Sequence, residues 1–421
     1  MIKAVRGTRD FLPEEAERLR FIEETALRIF GRYGYREIRT PLFEKTELFS
    51  RAVGGTTDIV EKEMYTFPDR NGESLALRPE GTAAVVRAFL ENGQTRNLPW
   101  RVCYRGPMFR YERPQKGRYR QFHQIGCELF GPEGPLADAE MMAMIMAFLE
   151  AIGLRGRLEL EINSLGCPVC REPYRERLVR HLTGVRDGLC DNCRQRLDRN
   201  PLRVLDCKEP GCRELAAAAP HLSGQLCPAC RDHFGGLTAH LDVLGLRWRH
   251  NPLMVRGLDY YSRTAFEVTT GDLGAQNAVA AGGRYDALVA EMGGPPTPAI
   301  GFAAGLERLA LLLEDGVGAA GPPDAYLVAV EQGVGPALVL AESLRAAGRT
   351  VDLNLQGGSM KSQMKKADRS GAPVTLILAG QEALDATVTV KDMHNGQQRV
   401  LPRDGLLDQL WPTTATRPSE P

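Results

Sequence analysis

The chain has 421 residues, enough for two or three domains that each bury a core. Its 53 basic residues equal its 53 acidic ones, so the zero net charge excludes polyanion binding by overall charge. The first residues include no signal-like apolar stretch, and the longest apolar run, residues 141–149, is far shorter than the roughly 20 residues of a membrane helix. These features predict a cytoplasmic protein that does not bind a membrane.

The first 164 residues predict alternating helices and strands. Apolar residues recur at helical spacing from Ala16 to Tyr33, and Gly34 ends that helix. A second helix is predicted from Thr82, a capping residue, to Leu90. Extended or alternating patterns predict short strands at residues 35–39, 75–77 and 158–162.

The composition changes twice farther along the chain. Cysteine and arginine become frequent after Ser164 and up to Leu246, and beyond the Gly-rich and Pro-rich stretch near residue 315 strands alternate with helices, as in a parallel, doubly wound α/β sheet. We therefore divide the chain into a first domain (1–164 and 247–314), an inserted cysteine-rich helical module (165–246), a linker (315–324), a C-terminal α/β domain (325–412) and a disordered tail (413–421).

Eight of the ten cysteines lie in the inserted module as four closely spaced pairs: Cys167 and Cys170, Cys190 and Cys193, Cys207 and Cys212, and Cys227 and Cys230. Paired spacings of this kind suit one or two tetrahedral zinc sites, and two four-cysteine sites would use all eight residues. The alternative is a set of reduced, partly buried thiols in a small helical module. The spacing by itself favours zinc.

The segment from Arg101 to Arg120 holds seven Arg or Lys residues and one acid, Glu112. Its middle, residues 112–118, contains proline and glycine and predicts a loop between two strands. A basic hairpin loop can bind phosphates or the end of an RNA. A basic run considered alone is more often a solvated loop.

The strand predicted from Phe122 to Phe130 has one apolar and one polar face. On the polar face Gln124 and Glu128 lie on either side of Gly126, which we expect to leave open space for a ligand. Two polar side chains beside a gap suit a small polar substrate. A strand whose polar face meets solvent explains this segment equally well.

Further candidate residues lie near predicted turns. Glu80 and Thr82 could hold an ammonium group at a helix start, although a capped helix is locally the better interpretation. Arg256 lies among apolar residues and needs an anionic partner, either a substrate phosphate or Asp259. Residues 282–286 predict a glycine turn that leads into a helix.

Residues 299–308 predict a strand that enters a helix. Their small side chains would let a flat base lie against the backbone, with Arg308 on the first helical turn. Close packing between the strand and the helix would explain the same pattern.

Together these segments resemble the class II aminoacyl-tRNA synthetases and, among them, the histidine enzymes. The segments similar to the three class motifs and the two histidine-specific peptides are, in that order, residues 34–41, 104–128, 301–309, 255–261 and 282–286. Arg-Pro-Glu-Gly-Thr at 78–82 lies between the first two motifs. The resemblance covers nearly the whole chain and implies an α+β catalytic domain with an antiparallel sheet, a C-terminal anticodon-binding domain, and a homodimer through residues 34–41.

The resemblance also implies roles for single residues. The positions similar to histidine-binding residues are Glu80, Gly81, Thr82, Gln124, Glu128, Tyr260, Tyr261 and Tyr285. Within this set Glu80, Thr82 and Gln124 match the residues that hold the amino group. Glu128 and Tyr261 match those that bind the neutral imidazole, which donates through one nitrogen and accepts through the other.

The positions similar to ATP-binding residues are Arg110, Glu112, Arg256 and Arg308, of which Arg110 and Arg256 are the implied catalytic residues at the α-phosphate. The implied reaction joins L-histidine to ATP with Mg²⁺, releases pyrophosphate, and transfers histidine to the 3′ end of histidine tRNA. The expected contacts to the tRNA acceptor end are Gln115, Arg118 and Arg120.

Two questions stay open at this point. The cysteine pairs are not part of the family pattern, so we expect no obligatory metal in the module, with zinc as the alternative. The chain could also be a catalytically silent regulatory subunit of ATP phosphoribosyltransferase or an RNA-binding accessory protein. The presence of Arg110, Arg256 and Arg308, together with a C-terminal domain, argues against both.

Overall fold

The computed structural model describes residues 2–55, 57–115, 117–255, 258, 260–274 and 277–412. Arg256, Asp259 and the tail 413–421 lie outside the described residues. The chain divides into two compact units, Met1–Ala319 and Ala320–Pro421. Among the described helices none is long and apolar enough to cross a membrane.

The first unit contains most of the helices and strands. Its α-helices are α1 (Pro13–Arg32), α2 (Thr46–Val53), α3 (Thr82–Glu91), α4 (Pro135–Ala151), α5 (Pro168–Gly184), α6 (Asp191–Arg199), α7 (Pro210–Ala217), α8 (Pro228–Val243), α9 (Leu288–Glu291) and α10 (Leu306–Ala310). Its strands are β1 (Arg36–Glu37), β2 (Phe43–Lys45), β3 (Thr66–Pro68), β4 (Ser74–Leu77), β5 (Trp100–Phe109), β6 (Gln121–Phe130), β7 (Glu159–Ser164), β8 (Trp248–His250), β9 (Ser262–Thr269), β10 (Ala278–Arg284) and β11 (Ala299–Gly305). The helices and strands predicted in the first 164 residues are all present, with slightly shifted ends.

An eight-stranded sheet with the order β1-β5-β6-β11-β10-β9-β7-β8 forms the centre of this unit. Its strands pair antiparallel except at the two edges, where β1 is parallel to β5 and β8 is parallel to β7. On β6 the predicted alternation is confirmed, because Ile125, Cys127 and Leu129 join the core that also contains α1 and α4. Gln124 and Glu128 therefore belong to the opposite face of the sheet.

The predicted glycine turn at residues 282–286 is wrong, since Gly282 and Gly283 lie inside β10, which pairs with both β9 and β11. A Cβ atom at Gly282 would lie 2.3 Å from the carbonyl oxygen of Gly301. A Cβ atom at Gly283 would lie 2.5 Å from the carbonyl oxygen of Thr264. These glycines serve close packing between strands.

The inserted module consists of α5 to α8 around a small core of its own. Its last helix also contributes Leu237 and Leu241 to the core beneath the main sheet. There His233 of α8 hydrogen-bonds Asp138 of α4, with 2.8 Å between Nε2 and Oδ2. These contacts explain why the module and the main sheet form one compact unit.

The second unit has strands β12 (Ala325–Ala329), β13 (Val351–Leu353), β14 (Val374–Leu378), β15 (Thr387–Asp392) and β16 (Gln398–Pro402) and helices α11 (Val334–Ala346), α12 (Met360–Ser370), α13 (Gly380–Leu384) and α14 (Leu406–Leu410). Side chains of β12 alternate between two cores, one with α11 and one with α12, so helices cover both faces as predicted. The sheet is not wholly parallel, because β15 and β16 extend it antiparallel. The short connection between β15 and β16 permits only the antiparallel direction for that pair.

Candidate active site

A cavity of about 550 Å³ opens on the polar face of the main sheet. Its wall comes from α3, from the middle strands of the sheet, from the start of α10 and from the inserted module. The sequence-predicted residues that line it are Glu80, Thr82, Arg110, Glu112, Arg118, Gln124, Tyr260, Tyr261 and Arg308. The structure therefore brings most of the expected site together in one place.

Glu80 both caps a helix and lines the cavity. Its carboxylate accepts hydrogen bonds from the backbone N–H groups of Thr82, at 2.6 Å, and Ala83, at 2.8 Å. Burial raises the pKa of this carboxyl above its ordinary value. The two interpretations of this segment are therefore compatible, since a carboxylate held at the helix start still faces the cavity.

Glu128 lies behind the cavity wall. Its fully buried carboxylate accepts a hydrogen bond from the Thr82 hydroxyl at 2.7 Å and another from the Tyr285 hydroxyl. Neither Glu128 nor Tyr285 lines the cavity, whereas Thr82 does. Burial raises the pKa of Glu128 to about 8. Glu128 therefore contacts the cavity wall through Thr82. The sequence analysis had expected Glu128 itself to be part of the wall.

The open space predicted over Gly126 is filled by a tyrosine. Tyr104 pairs with Gly126 across β5 and β6, and a Cβ atom on Gly126 would lie 2.5 Å from its hydroxyl oxygen. A Cβ atom on Gly81 would lie 2.3 Å from the same ring, so Gly81 makes room for Tyr104. Tyr104 lines the cavity and is a site residue that the sequence analysis missed. The sequence did contain a signal for this residue, because Tyr104 lies opposite Gly126 in the predicted hairpin, where a large side chain can fill the space over a glycine.

Gln124 remains available to a ligand. Its side chain lines the cavity, and its buried Oε1 atom has no hydrogen-bond partner among the described residues. A buried amide oxygen without a partner is costly, so a donor in the cavity would stabilise it.

Gly301 in β11 makes room for Glu128. The two residues pair across β11 and β6, and a Cβ atom on Gly301 would lie 1.6 Å from Oε2 of Glu128. At this position the small residue accommodates a carboxylate rather than a flat base. Ala303 and Gly305, farther along β11, do line the cavity.

Tyr260, Tyr261 and Tyr285 form an aromatic cluster, and the first two of them line the cavity. The ring centroids of Tyr260 and Tyr261 lie 4.6 Å apart, and those of Tyr260 and Tyr285 lie 5.6 Å apart. Burial raises the pKa of Tyr260 and Tyr285 well above the ordinary value, which keeps their hydroxyls protonated as hydrogen-bond donors. The neighbouring Arg284 is fully buried and pairs with Asp138 and Asp286, which fixes the backbone that carries Tyr285.

Arginines also line the cavity. Arg110 donates from Nε to the carbonyl of Pro79 at 2.8 Å, and Arg308 donates from Nη1 to the carbonyl of Ala278 at 2.7 Å. Burial lowers the pKa of Arg308, and the nearby charge of Arg118 lowers it further. Guanidinium groups that destabilise each other in one cavity favour an anionic ligand.

The residues expected at the tRNA end are separated by the structure. Arg118 lines the cavity, with its Nε 2.5 Å from Oε2 of Glu112. Gln115 is exposed at the loop and Arg120 stacks on Tyr111, with 3.8 Å between the guanidinium carbon and the ring centroid. Neither of these two side chains lines the cavity.

Carboxylates lie beside the arginines. Glu112 and Glu267 line the same cavity, and their negative charges oppose the lowering of the Arg308 pKa. One or two carboxylates together with substrate phosphates are the ligand set that Mg²⁺ prefers. These residues therefore fit the expected Mg²⁺. Glu267 was not identified from the sequence, because it is an isolated acid in a β-strand.

Arg256 is the expected site residue that lies outside the described part of the chain. Its neighbours Val255 and Leu258 line the cavity.

Comparison with known proteins identifies the family. Residues 7–172 and 192–309 match the family described as histidyl-tRNA synthetase, and residues 325–410 match the anticodon binding domain. The chain belongs to the histidyl-tRNA synthetase family. The histidine–tRNA ligase of Nitratidesulfovibrio vulgaris is 49% identical over 97% of this chain and 98% of that protein. The ligase of Pelotomaculum thermopropionicum is 51% identical over 96% of both chains.

Solved structures of this family have the same architecture. The histidyl-tRNA synthetase of S. aureus superimposes with a TM-score of 0.81 at 37% identity, covering 97% of this chain and all of that one. A Bacillus halodurans protein described as an ATP phosphoribosyltransferase regulatory subunit/histidyl-tRNA synthetase has a TM-score of 0.66 at 23% identity, covering 90% of this chain and 99% of that one. At that identity the likeness concerns the fold alone. The expected class II catalytic domain with a C-terminal anticodon-binding domain is confirmed.

The contact between Gly301 and Glu128 can be tested by adding one methyl group. Gly301→Ala is expected to lower the melting temperature, because overpacking of this kind costs about 1–3 kcal/mol. The matched control is Gly305→Ala, where the nearest atom to the new methyl group would be 4.0 Å away. Calorimetry that finds both variants equally stable would show that Glu128 is not held against Gly301.

The raised pKa of Glu128 predicts a dependence of stability on pH. The folded chain binds this proton up to about pH 8, whereas an ordinary glutamate loses it near 4.5, so its contribution to stability is lost as the pH rises through that interval. Glu128→Gln should therefore reduce the fall in melting temperature between about pH 5 and pH 8. Part of the fall in melting temperature should remain in this variant, because the pKa of Glu80 is also raised.

The exposed Glu214→Gln variant controls for the exchange of a carboxylate for an amide. An unchanged pH profile for Glu128→Gln would mean that this carboxyl titrates normally in the folded chain.

Proposed function

We propose that the protein is a histidine–tRNA ligase that activates L-histidine with ATP and esterifies it to the 3′ end of histidine tRNA. One observation carries the proposal: a single cavity is lined by carboxylate, hydroxyl and amide groups and also by guanidinium groups. The first set suits an amino acid and the second a triphosphate. The chain that builds this cavity is about half identical to histidine–tRNA ligases over nearly its full length.

The ammonium group of histidine would bind between Glu80, Thr82 and Gln124. An ammonium has three N–H donors and no acceptor. The carboxylate of Glu80, the amide oxygen of Gln124 and the hydroxyl oxygen of Thr82 offer three acceptors in one wall of the cavity. The Thr82 hydroxyl oxygen can accept from the ligand while its O–H donates to the Glu128 carboxylate.

The imidazole would lie among the tyrosines. It donates through one nitrogen, and Tyr261 supplies a donor for the other. Glu128 already accepts from Thr82 and Tyr285, so we propose that the Tyr285 hydroxyl turns away when histidine binds. Glu128 can then accept the imidazole N–H in its place.

ATP would bind with its phosphates among the arginines. Arg110 and Arg256 would hold the α-phosphate and Arg308 the γ-phosphate. A carboxylate oxygen of histidine attacks the α-phosphorus in line, the bond to pyrophosphate breaks, and histidyl adenylate forms. A ribose hydroxyl of the tRNA then attacks the carbonyl carbon, and AMP leaves. Mg²⁺ bound by Glu112 and Glu267 would neutralise part of the phosphate charge.

The tRNA would contact both units. Gln115 and Arg120 lie on the loop outside the cavity, where an acceptor end could reach them, and Arg118 connects that loop to the ATP site through Glu112. In the second unit α12 presents the exposed Lys361 and Lys365, which suit an RNA backbone.

We also propose a homodimer and a cytoplasmic location. Next to residues 34–41 the side chains of Leu42 and Phe43 are 42% and 54% exposed, as expected of an apolar surface that a second copy covers. Light scattering at micromolar concentration is expected to give twice the mass of one chain, and a monomer mass would contradict the dimer.

The proposed reaction is tested by amino-acid-dependent exchange of pyrophosphate into ATP with each of the twenty amino acids. Exchange is expected with histidine alone. Arg308→Ala should reduce it by on the order of 10²–10³, because one preorganised donor to the phosphates is lost. Arg308→Lys should recover little, since lysine lacks the planar fork.

The exposed Arg177→Ala variant is the control and should exchange at the parent rate. Exchange with another amino acid would contradict the histidine pocket. No exchange with any amino acid would favour a regulatory or RNA-binding role instead.

A further inference from the structure

The eight cysteines of the inserted module form two clusters in space. Cluster A contains Cys167, Cys170, Cys227 and Cys230, and cluster B contains Cys190, Cys193, Cys207 and Cys212. Within each cluster all four sulfur atoms lie within 4.8 Å of one another. Cluster A joins the first and last pairs along the chain, whereas cluster B joins the two middle pairs, so the fold and not sequence proximity selects the partners.

The sulfur spacing matches one specific kind of ligand. In cluster A the Sγ atom of Cys167 lies 3.8 Å from the Sγ atoms of Cys170 and Cys227. In cluster B the Sγ atoms of Cys190 and Cys207 are 3.9 Å apart. A zinc ion with four Zn–S bonds of about 2.3 Å at tetrahedral angles places its sulfur atoms about 3.8 Å apart.

Other roles for the cysteines fit this spacing less well. A disulfide bond requires about 2.05 Å between sulfur atoms, and all eight residues are free cysteines. An iron–sulfur cluster places several iron atoms between its thiolates and therefore holds them farther apart. Reduced thiols can pack in a core as small apolar groups, but such packing does not require two groups of four at this sulfur spacing.

We propose that clusters A and B each bind one Zn²⁺ through four thiolates. Four protein ligands leave no open position, so both ions are structural rather than catalytic. The sequence analysis expected no obligatory metal, because it gave the family pattern more weight than the cysteine spacing. The positions of the sulfur atoms now favour zinc. The inference does not rest on the proposed function.

Backbone groups support thiolates in both clusters. Cys167, Cys190 and Cys227 immediately precede α5, α6 and α8, where helix N-termini favour negative charge. The backbone N–H of Cys227 donates to Sγ of Cys170 at 3.1 Å, and that of Cys190 donates to Sγ of Cys212 at 3.2 Å. Hydrogen bonds of this kind orient metal ligands and are typical of the shell around a metal site.

The two clusters stabilise different parts of the module. Cluster A joins the segment that follows β7 to the start of α8, and so closes the module where the chain leaves the main sheet and returns toward it. Cluster B joins the start of α6 to α7 and the segment between them. The core of the module is small and includes five of the cysteines, so bound metal would supply much of its folding free energy.

Cluster B also borders the catalytic cavity. Arg196 follows Cys193 by three residues on α6, Lys208 directly follows Cys207, and both line the cavity together with Arg203. An ion in cluster B would therefore hold one wall of the active site in place.

Elemental analysis of the full-length protein, purified under reducing conditions without added metal, tests the proposal. Two zinc ions per chain are expected. The double variants Cys167→Ser/Cys170→Ser and Cys190→Ser/Cys193→Ser should each retain one. The control is Cys103→Ala, which removes a buried cysteine of the main sheet and should leave two.

Cobalt substitution gives a second measurement that does not depend on the variants folding. Protein produced with Co²⁺ should show strong thiolate-to-cobalt charge-transfer absorption and the d–d bands of a tetrahedral ion, with two cobalt ions per chain. Disulfides among the eight cysteines, or a full-length protein with neither stoichiometric zinc nor the cobalt spectrum, would overturn the proposal. One ion per chain would overturn one of the two sites, and the double variant that keeps this ion identifies which.

Discussion

The architecture of the candidate active site depends on one buried carboxylate. Glu128 is removed from water, and such a group is tolerated only when its oxygen atoms receive hydrogen bonds. Thr82 at the start of α3 and Tyr285 after β10 supply them, and Gly301 on the adjacent strand leaves the space. These segments are far apart in the chain, and each is weak evidence as a separate motif. Together they provide the hydrogen bonds and the space that the buried carboxylate requires.

Buried groups at the cavity have pKa values that are shifted in opposite directions. Burial raises the pKa of Glu80 and Glu128, whereas burial and a neighbouring guanidinium lower that of Arg308. A bound cation would favour the ionised carboxylates, and a bound anion would favour the charged Arg308. In the proposed binding mode the ammonium group of the amino acid would meet the carboxylates, and its own carboxylate would meet the phosphate beside the arginines. Adenylate formation needs this arrangement.

Periodicity and turn residues were enough to predict the helices and most strands, and the resemblance to the histidine enzymes supplied most of the residues that line the cavity, but neither predicted how side chains share space. Tyr104 was missed, and the gap expected at Gly126 is the volume that its ring fills. Gly282 and Gly283 were assigned to a turn because glycine is typical of turns, whereas here it permits three strands to approach closely. Such pairings become visible only when strand register is known. The two cysteine clusters likewise combine pairs that sequence spacing does not join.

The inserted module is hydrogen-bonded to the segment that carries the cavity tyrosines. The backbone N–H of Leu165 donates to the carbonyl of Arg263 at 2.6 Å, and that of Arg263 donates to the carbonyl of Gly166 at 2.9 Å. Arg263 has a φ of 50°, a conformation that costs a non-glycine residue about 1–3 kcal/mol and persists only where neighbours enforce it. Arg171 of α5 also donates to the carbonyl of Tyr261. The start of the module, where cluster A begins, thereby fixes the backbone that carries Tyr261. A structural change at the start of the module should therefore alter the position of this tyrosine.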